Sequence, residues 1–205
     1  MSIAQDLPSK LRPQQRVKNF DSIKRNGQLQ VIFLSRITPI KNLDYLLSVL
    51  KVVCSPVKLS IFGPIEDANY WRKCKSIIKE LPVNITVCYK GDVKPKHVHT
   101  TFSKYDVFAF PTRGENFGHV IFESLSAGTP VIISNKTPWQ KDAGSAITVI
   151  SLNNHNDWVR KIENLAQLNE QSFDKIRKNS LLYASSYILN NKSVERNRQL
   201  FLGGE

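Results

Sequence analysis
Short apolar runs alternate along this chain with segments whose apolar positions recur every three to four residues. The runs lie at 30–35, 57–62, 84–89, 107–110, 131–133 and 146–150. They are too short for helices and rich in β-branched and aromatic residues, so they predict buried strands. After the first run, Leu43, Leu46, Leu47 and Leu50 mark one face of a helix for which Asn42 is a candidate N-cap. A helix is predicted near 69–81, with Trp71, Ile77 and Ile78 turned to the core. Another follows 107–110, apolar at Val120, Ile121, Phe122, Leu125 and Ala127 and ended by Gly128 and Pro130. Thr137-Pro138-Trp139 is expected to begin a further helical turn, and 153–202 is helical in pattern through Trp158, Ile162, Leu165, Leu168, Phe173, Ile176, Leu181 and Leu182. The recurring order of strand, loop, helix and strand predicts the α/β class, a parallel sheet with helices on both faces.

At 205 residues and 41% hydrophobic, the chain can bury a full core as one domain. Residues 1–28 contain Pro8, Pro13, many charges and few apolar positions, so they read as a linker or arm. Residues 29–190 form the expected domain, and 191–205 a C-terminal helix or tail. No apolar run approaches the roughly 18 residues that span a bilayer, and 1–27 lacks the apolar centre of a secretory signal. Cys54, Cys74 and Cys88 are odd in number and lack CxxC spacing, which suits a reducing cytoplasm; all three fall in apolar segments and are expected to pack.

The net charge of +12 favours anionic partners: nucleotide phosphates, nucleic acid or an anionic membrane surface. Up to Lys58 there are ten Lys or Arg against three Asp, so the excess lies toward the N-terminal part. The basic residues are dispersed and accompany no nucleic-acid module, so no specific nucleic-acid partner is expected. Peripheral association with an anionic membrane stays open. His97 and His99 form an HxH without Asp, Glu or Cys in ligand spacing, so an exposed loop or helix start is expected and no metal site.

The chemistry concentrates after 107–110, in Arg113-Gly114-Glu115-Asn116-Phe117-Gly118-His119-Val120-Ile121-Phe122-Glu123. A βαβ unit puts such a loop at the carboxyl edge of the sheet, where open α/β folds bind ligands. Gly114 and Gly118 allow close backbone approach, and the following helix offers free N–H groups and its positive dipole end to an anion. Glu123 lies about 7–8 Å up that helix from Gly118 and shares a face with His119. A carboxylate there is costly to bury unless something such as a ribose diol pairs with it. Taken singly, Glu115 would only complement a helix N-terminus, worth a few tenths to about 1 kcal/mol. Glu123 alone would be a salt-bridged helix residue, and His119 a packing residue rather than a catalyst. Arg36 and Lys41 bracket the loop after the first strand and place two cations on the same edge.

Glu115 and Glu123, with seven residues between them, Phe117-Gly118 inside the interval and Ala127-Gly128-Thr129-Pro130-Val131 after it, resemble the EX7E motif of GT-B retaining glycosyltransferases of the GT4 type. The resemblance covers roughly 30–190 and implies a Rossmann-like domain, the C-terminal half of a GT-B enzyme. By it, Glu115 meets hydroxyls of the donor sugar, amides around Asn116, Phe117, Gly118, His119 and Val120 meet the sugar and diphosphate, and Glu123 binds the ribose. Arg36 and Lys41 match cations that hold the donor diphosphate, and the loop carrying Val93 would cradle the base. Where the family often has Gly, this chain has Asn42 after the Lys, and Asn116 after the first Glu.

The implied reaction is hexosyl transfer from a UDP- or GDP-sugar with retention of configuration and no cofactor. No Asp-x-Asp occurs in the chain, so departing charge would be met by Arg36, Lys41 and the helix N-terminus rather than by a metal. The acceptor, a saccharide or lipid-linked saccharide, would be bound by a preceding domain that the chain lacks, so little turnover is expected of it alone. A non-catalytic nucleotide-sugar-binding or regulatory module would use the same residues for affinity only. A nicotinamide-dependent dehydrogenase is disfavoured, because no G-x-G-x-x-G follows the first strand.

Overall fold
A computed structural model of the chain describes residues 27–190. Six strands, β1 (Leu29–Leu34), β2 (Val57–Phe62), β3 (Ile85–Tyr89), β4 (Val107–Phe110), β5 (Val131–Ser134) and β6 (Ile147–Ile150), form one sheet in the order β3-β2-β1-β4-β5-β6. Every pairing is parallel. The helices are α1 (Leu43–Leu50), α2 (Ala68–Lys79), α3 (Val98–Phe102), α4 (His119–Ser126), α5 (His155–Gln167) and α6 (Glu170–Asn190). α1 packs with α2 and α5, and α4 with α3 and α6, so the two faces of a Rossmann-like sheet are each covered.

Because both faces are covered, the central strands are apolar on both sides. Val31, Ile32, Phe33, Phe108, Ala109, Phe110, Ile132 and Ile133 are fully buried. Phe108 and Phe110, two residues apart on one face, have ring centroids 5.3 Å apart. Leu43, Leu46, Leu47 and Leu50 are buried as the helical spacing predicts, each contributing about 1.5–3 kcal/mol of transfer free energy at most. α2 starts where Asp67 accepts a hydrogen bond from the Tyr70 amide at 2.8 Å, an N-cap the sequence pattern did not single out. Trp71, Ile77 and Ile78 pack against the core from partly buried positions.

Three expectations are corrected. Thr137-Pro138-Trp139 forms no helix but a bend in the connection from β5 to β6. The Thr137 hydroxyl accepts from the Trp139 amide, a local side-chain turn that is not continued into a helix. Cys54 is exposed, in the loop between α1 and β2, while Cys74 is buried and Cys88 partly so. Leu182 lies in α6 as the helical pattern predicts, 68% exposed on its outer side. Asn42 occupies the N-cap position of α1 but makes no side-chain cap. The arm assigned to 1–28, beyond its last two residues, and the tail at 191–205 lie outside the described residues.

The chain builds outward from β1 to β3, then returns to lay β4 on the other side of β1. That reversal makes a switch point between β1 and β4, with a crevice at their carboxyl ends. The loops that follow these two strands carry Arg36, Lys41 and Glu115.

Candidate functional site
The loop after β1 is set first by a close approach. Gly63, at the end of β2, has φ +125°, and a Cβ there would stand 2.0 Å from the Ser35 carbonyl oxygen. The Ile37 amide donates to the Pro64 carbonyl at 2.8 Å. A 3-10 turn at Pro39–Lys41 then delivers the chain to Asn42, whose φ of 62° is left-handed. Beyond Gly, Asn and Asp take that conformation most readily, which suits Asn to this position. Freed from capping, the Asn42 side chain braces the neighbouring loop: its amide donates to the Pro111 carbonyl at 2.9 Å, and its oxygen accepts from Arg113 Nε at 3.0 Å.

The loop after β4 is held from three sides. The Arg113 amide donates to the Ile40 carbonyl at 2.7 Å, and the Thr112 hydroxyl reaches the Ile40 and Gly114 carbonyls. Ser134 at the end of β5 donates to the Thr112 carbonyl, and the Glu115 amide donates to Lys136 at 3.1 Å. From the third side, Trp139 Nε1 donates to the Phe117 carbonyl at 3.0 Å. Gly118 has φ 70°, and a Cβ there would lie 2.5 Å from Trp139 Nε1, so glycine is required both for the conformation and for the space.

Lys41 and Glu115 meet in this frame, with Nζ 2.9 Å from Oε2 and side chains only 10% and 19% exposed. Lys41 Nζ also lies 5.4 Å from the Phe110 ring centroid, within cation–π range. The other carboxylate oxygen of Glu115 accepts from the amides of Asn116, Phe117 and Gly118 at 3.1, 3.4 and 3.2 Å. Burial pushes the Glu115 carboxyl up, but the Lys41 hydrogen bond, the Gly118 amide and the Lys41 charge together hold it below the ordinary carboxylate value.

Three of the five amides assigned to the donor are therefore taken by Glu115 itself. The two that remain, His119 and Val120, open α4 and have no hydrogen-bond acceptor among the described residues. Phe117 is 71% exposed and stacks on the His119 ring at 5.7 Å. One turn beyond His119, the Glu123 carboxylate has no hydrogen bond or ion pair among the described residues. Desolvation raises its pKa, opposed by His119, although the residue as a whole is exposed. The direction marks a rim group partly shielded by its neighbours.

The remaining assigned residues are not gathered in. Arg36 is exposed and paired with Glu66 at 3.2 Å, across the gap to the loop after β2. Val93 is partly buried in the loop after β3, the edge strand two places from β1. His97 ends a 3-10 turn and His99 lies in α3, its Nε2 3.0 Å from the Ser126 carbonyl oxygen. No group of three or more His, Cys, Asp or Glu that could hold a metal ion occurs among the described residues. Thr112 and Trp139 support the site without having been assigned to it. The only signal for Trp139 was an aromatic residue beside a Thr-Pro in a connection at the ligand edge.

A parallel sheet with a switch point of this kind places the chain among the open, Rossmann-like α/β domains, whose crevices at the carboxyl ends of the strands are where ligands bind. More particularly, the chain belongs to the glycosyl transferases group 1 family, whose model matches residues 14–181. Among curated relatives, it is 34% identical over 108 residues to an uncharacterized 41.2 kDa protein of the cps region of Klebsiella pneumoniae, covering 53% of this chain and 28% of that protein. It is 25% identical over 148 residues to D-inositol 3-phosphate glycosyltransferase of Rhodococcus erythropolis, covering 68% of this chain and 34% of that enzyme. The matched region thus spans about a third of those relatives' length.

Among solved structures, Anabaena HepE in complex with UDP and glucose superposes with a TM-score of 0.73 at 16% identity, covering 90% of this chain and 53% of that one. The catalytic domain of Helicobacter pylori cholesterol-α-glucosyltransferase gives 0.64 at 15% identity, covering 78% and 98%. At such identities the likeness is one of fold, that of the GT-B glycosyltransferases.

Proposed function
We propose that this domain binds the nucleotide-sugar donor of a retaining hexosyltransferase, with the UDP series as the first candidate and GDP the second. The observation that carries the reading is the set of unmet partners at one helix end: the free His119 and Val120 amides, the Lys41–Glu115 pair beside them, and the unpaired Glu123 one turn on. A diphosphate accepts from the two amides and from Lys41, which keeps ammonium protons to spare beyond the one given to Glu115. Arg36 joins by leaving Glu66, an exposed pairing worth about 0–1 kcal/mol. Glu123 takes the ribose hydroxyls. Glu115 Oε2 keeps a lone pair for a sugar hydroxyl, while its other oxygen stays on the amides. The loop at Val93 receives the base.

In this scheme Lys41, Arg36 and the helix end stabilise charge that develops on the departing diphosphate, without a metal. The acceptor is bound by residues outside the matched region, which makes up about a third of the relatives, so the domain alone turns over little. Peripheral contact with an anionic membrane is supported only by the net charge of +12. Calorimetric titration with UDP, GDP, ADP and their sugar conjugates tests the proposal. Binding of one series, weakened at least several-fold in Glu123→Ala, is expected. A folded protein that binds none of them, or binds one equally well in the variant, would overturn it.

A further inference from the structure
The peptide unit joining Phe117 to Gly118 is fastened at both ends. Its N–H donates to Glu115 at 3.2 Å and its C=O accepts from the Trp139 indole at 3.0 Å. In a planar trans unit these two groups point in opposite directions, so the pair of bonds fixes the orientation of the plane. The next residue, Gly118, is left-handed and starts α4. The orientation of this plane therefore decides what the mouth of the helix presents: N–H groups only, or a carbonyl oxygen among them. Glycine at 118 makes the alternative accessible, because it has no Cβ to resist a flip.

Trp139 is itself held in place. It is 5% exposed, stacks on Tyr187 of α6 with ring centroids 4.7 Å apart and lies 6.2 Å from Tyr183. Tyr187 also contacts Phe122 of α4 at 5.8 Å. The indole N–H is thus delivered from an aromatic stack, and the Phe117 carbonyl has no other donor among the described residues.

We propose that Trp139 is a positioning residue for donor binding: it locks the 117–118 peptide with its carbonyl turned away from the mouth of α4, so that an anion meets only N–H groups. The ligand limb of this proposal rests on the donor-binding reading above; the locked peptide does not. The step from geometry to affinity is electrostatic. A carbonyl oxygen turned toward a diphosphate would replace attraction by repulsion at hydrogen-bond distance.

Backbone and indole proton exchange of the chain, followed by NMR with Trp139→Phe alongside, tests the lock without any ligand. Of the three indoles, those of Trp139 and Trp158 donate to carbonyls and that of Trp71 has no acceptor among the described residues. Two slow indole protons and one fast one are expected, with Trp139→Phe removing a slow one. Phe keeps a six-membered ring against Tyr187 and loses the donor together with the five-membered ring that carries it, and the β4 and β5 amides report any wider loosening. The Gly118 amide should exchange about tenfold faster in that variant, with β4 and β5 amides unchanged as the control for an intact fold. UDP affinity should fall about tenfold in parallel. A freely exchanging Trp139 indole in the wild-type chain, or Gly118 exchange within twofold of wild type in the folded variant, would overturn the lock. An altered Gly118 amide with unchanged UDP affinity would overturn its role in binding. If the wild-type chain binds no nucleotide, the donor reading fails instead, and the exchange comparison still decides whether the lock exists.

Discussion
Lys41 and Glu115, 74 positions apart in the sequence, close a 2.9 Å ion pair between the loops that follow β1 and β4. The pair bridges the switch point of the sheet, and the two loops that carry it are tied by backbone and Asn42 contacts on either side. Neither charge is fully in water, so each depends on the other and on the amides that share Glu115.

Removing the cation alone should therefore be costly. Lys41→Met leaves the Glu115 carboxylate with only amide donors in a mostly buried site. Breaking a fully buried pair costs about 3–5 kcal/mol; with a fifth of the Glu115 side chain exposed, about 1–3 kcal/mol is expected. Urea unfolding of the wild type, Lys41→Met and the double variant Lys41→Met with Glu115→Gln measures it. The double variant should recover part of the loss, because no uncompensated charge remains. A single variant as stable as wild type would show that the pair contributes nothing to the fold.

Acid should unfold the protein through Glu115 and two further hydrogen-bonded carboxylates, Asp44 and Glu163. Desolvation raises Glu115, Asp44 and Glu163, but bonds to Lys41 and the Gly118 amide, to Lys73 and Tyr70, and to Ser55 and the Cys54 amide respectively bring each net below its ordinary value. A carboxyl with a lowered folded pKa binds fewer protons in the native state. Its stabilisation is thus complete above the ordinary carboxylate value, 3.8 for Asp and 4.5 for Glu, and is lost as pH falls through the depressed folded values. Melting temperature should be flat from neutral pH down to about 5 and drop below about 4, and the drop should be shallower in Glu115→Gln. A melting temperature that does not fall in acid would contradict this account.

Two glycines should differ in how their replacement fails. At Gly63 an alanine Cβ would meet the Ser35 backbone at 2.0 Å with φ at +125°, and Ser35, directly after β1 with its amide bonded to the Phe62 carbonyl, has little room to move aside. At Gly118 the contact is the Trp139 side chain at 2.5 Å, with φ at +70°. Gly63→Ala should cost at least about 4 kcal/mol or abolish folding. Gly118→Ala should cost about 2–3 kcal/mol, the left-handed strain plus a shifted indole. Denaturation midpoints rank the two, and the reverse order would mean that the close approach of β1 and β2 at their carboxyl ends is not as described.

The strands and the site loop were legible because their signals are local. The apolar runs place every strand boundary to within about one residue, and the glycines of Gly114–Gly118 mark the loop. What was not legible depends on partners distant in sequence. Asn42 has the right chemistry for an N-cap, but its left-handed backbone turns the side chain toward Pro111 and Arg113, about 70 positions away. Arg36 and Lys41 look equivalent in sequence, yet one faces Glu66 in exposed solvent and the other is drawn into the crevice by Glu115. Trp139 meets the Phe117 carbonyl from a segment 22 positions on, and Tyr187 of α6 stacks on it from further still, neither of which a local pattern encodes.

Glu123 should show the tension between stability and binding. In the absence of ligand its carboxylate is unpaired among the described residues and its pKa is raised by desolvation, against the pull of His119. A raised folded pKa means that ionisation opposes folding, an effect present once pH exceeds the folded value, and absent below the ordinary carboxylate pKa. Glu123→Gln removes the charge and keeps the shape. At pH 7 the variant should be slightly more stable, by about a few tenths of a kcal/mol, because the exposed part of the residue screens the effect. Its affinity for the bound nucleotide should fall about tenfold, since an amide accepts more weakly than a carboxylate from a ribose diol. Thermal melts and calorimetry on the same preparations give the two signs together. A loss of stability in the variant would mean that Glu123 has a partner in the free protein, and an unchanged affinity would place the ribose elsewhere.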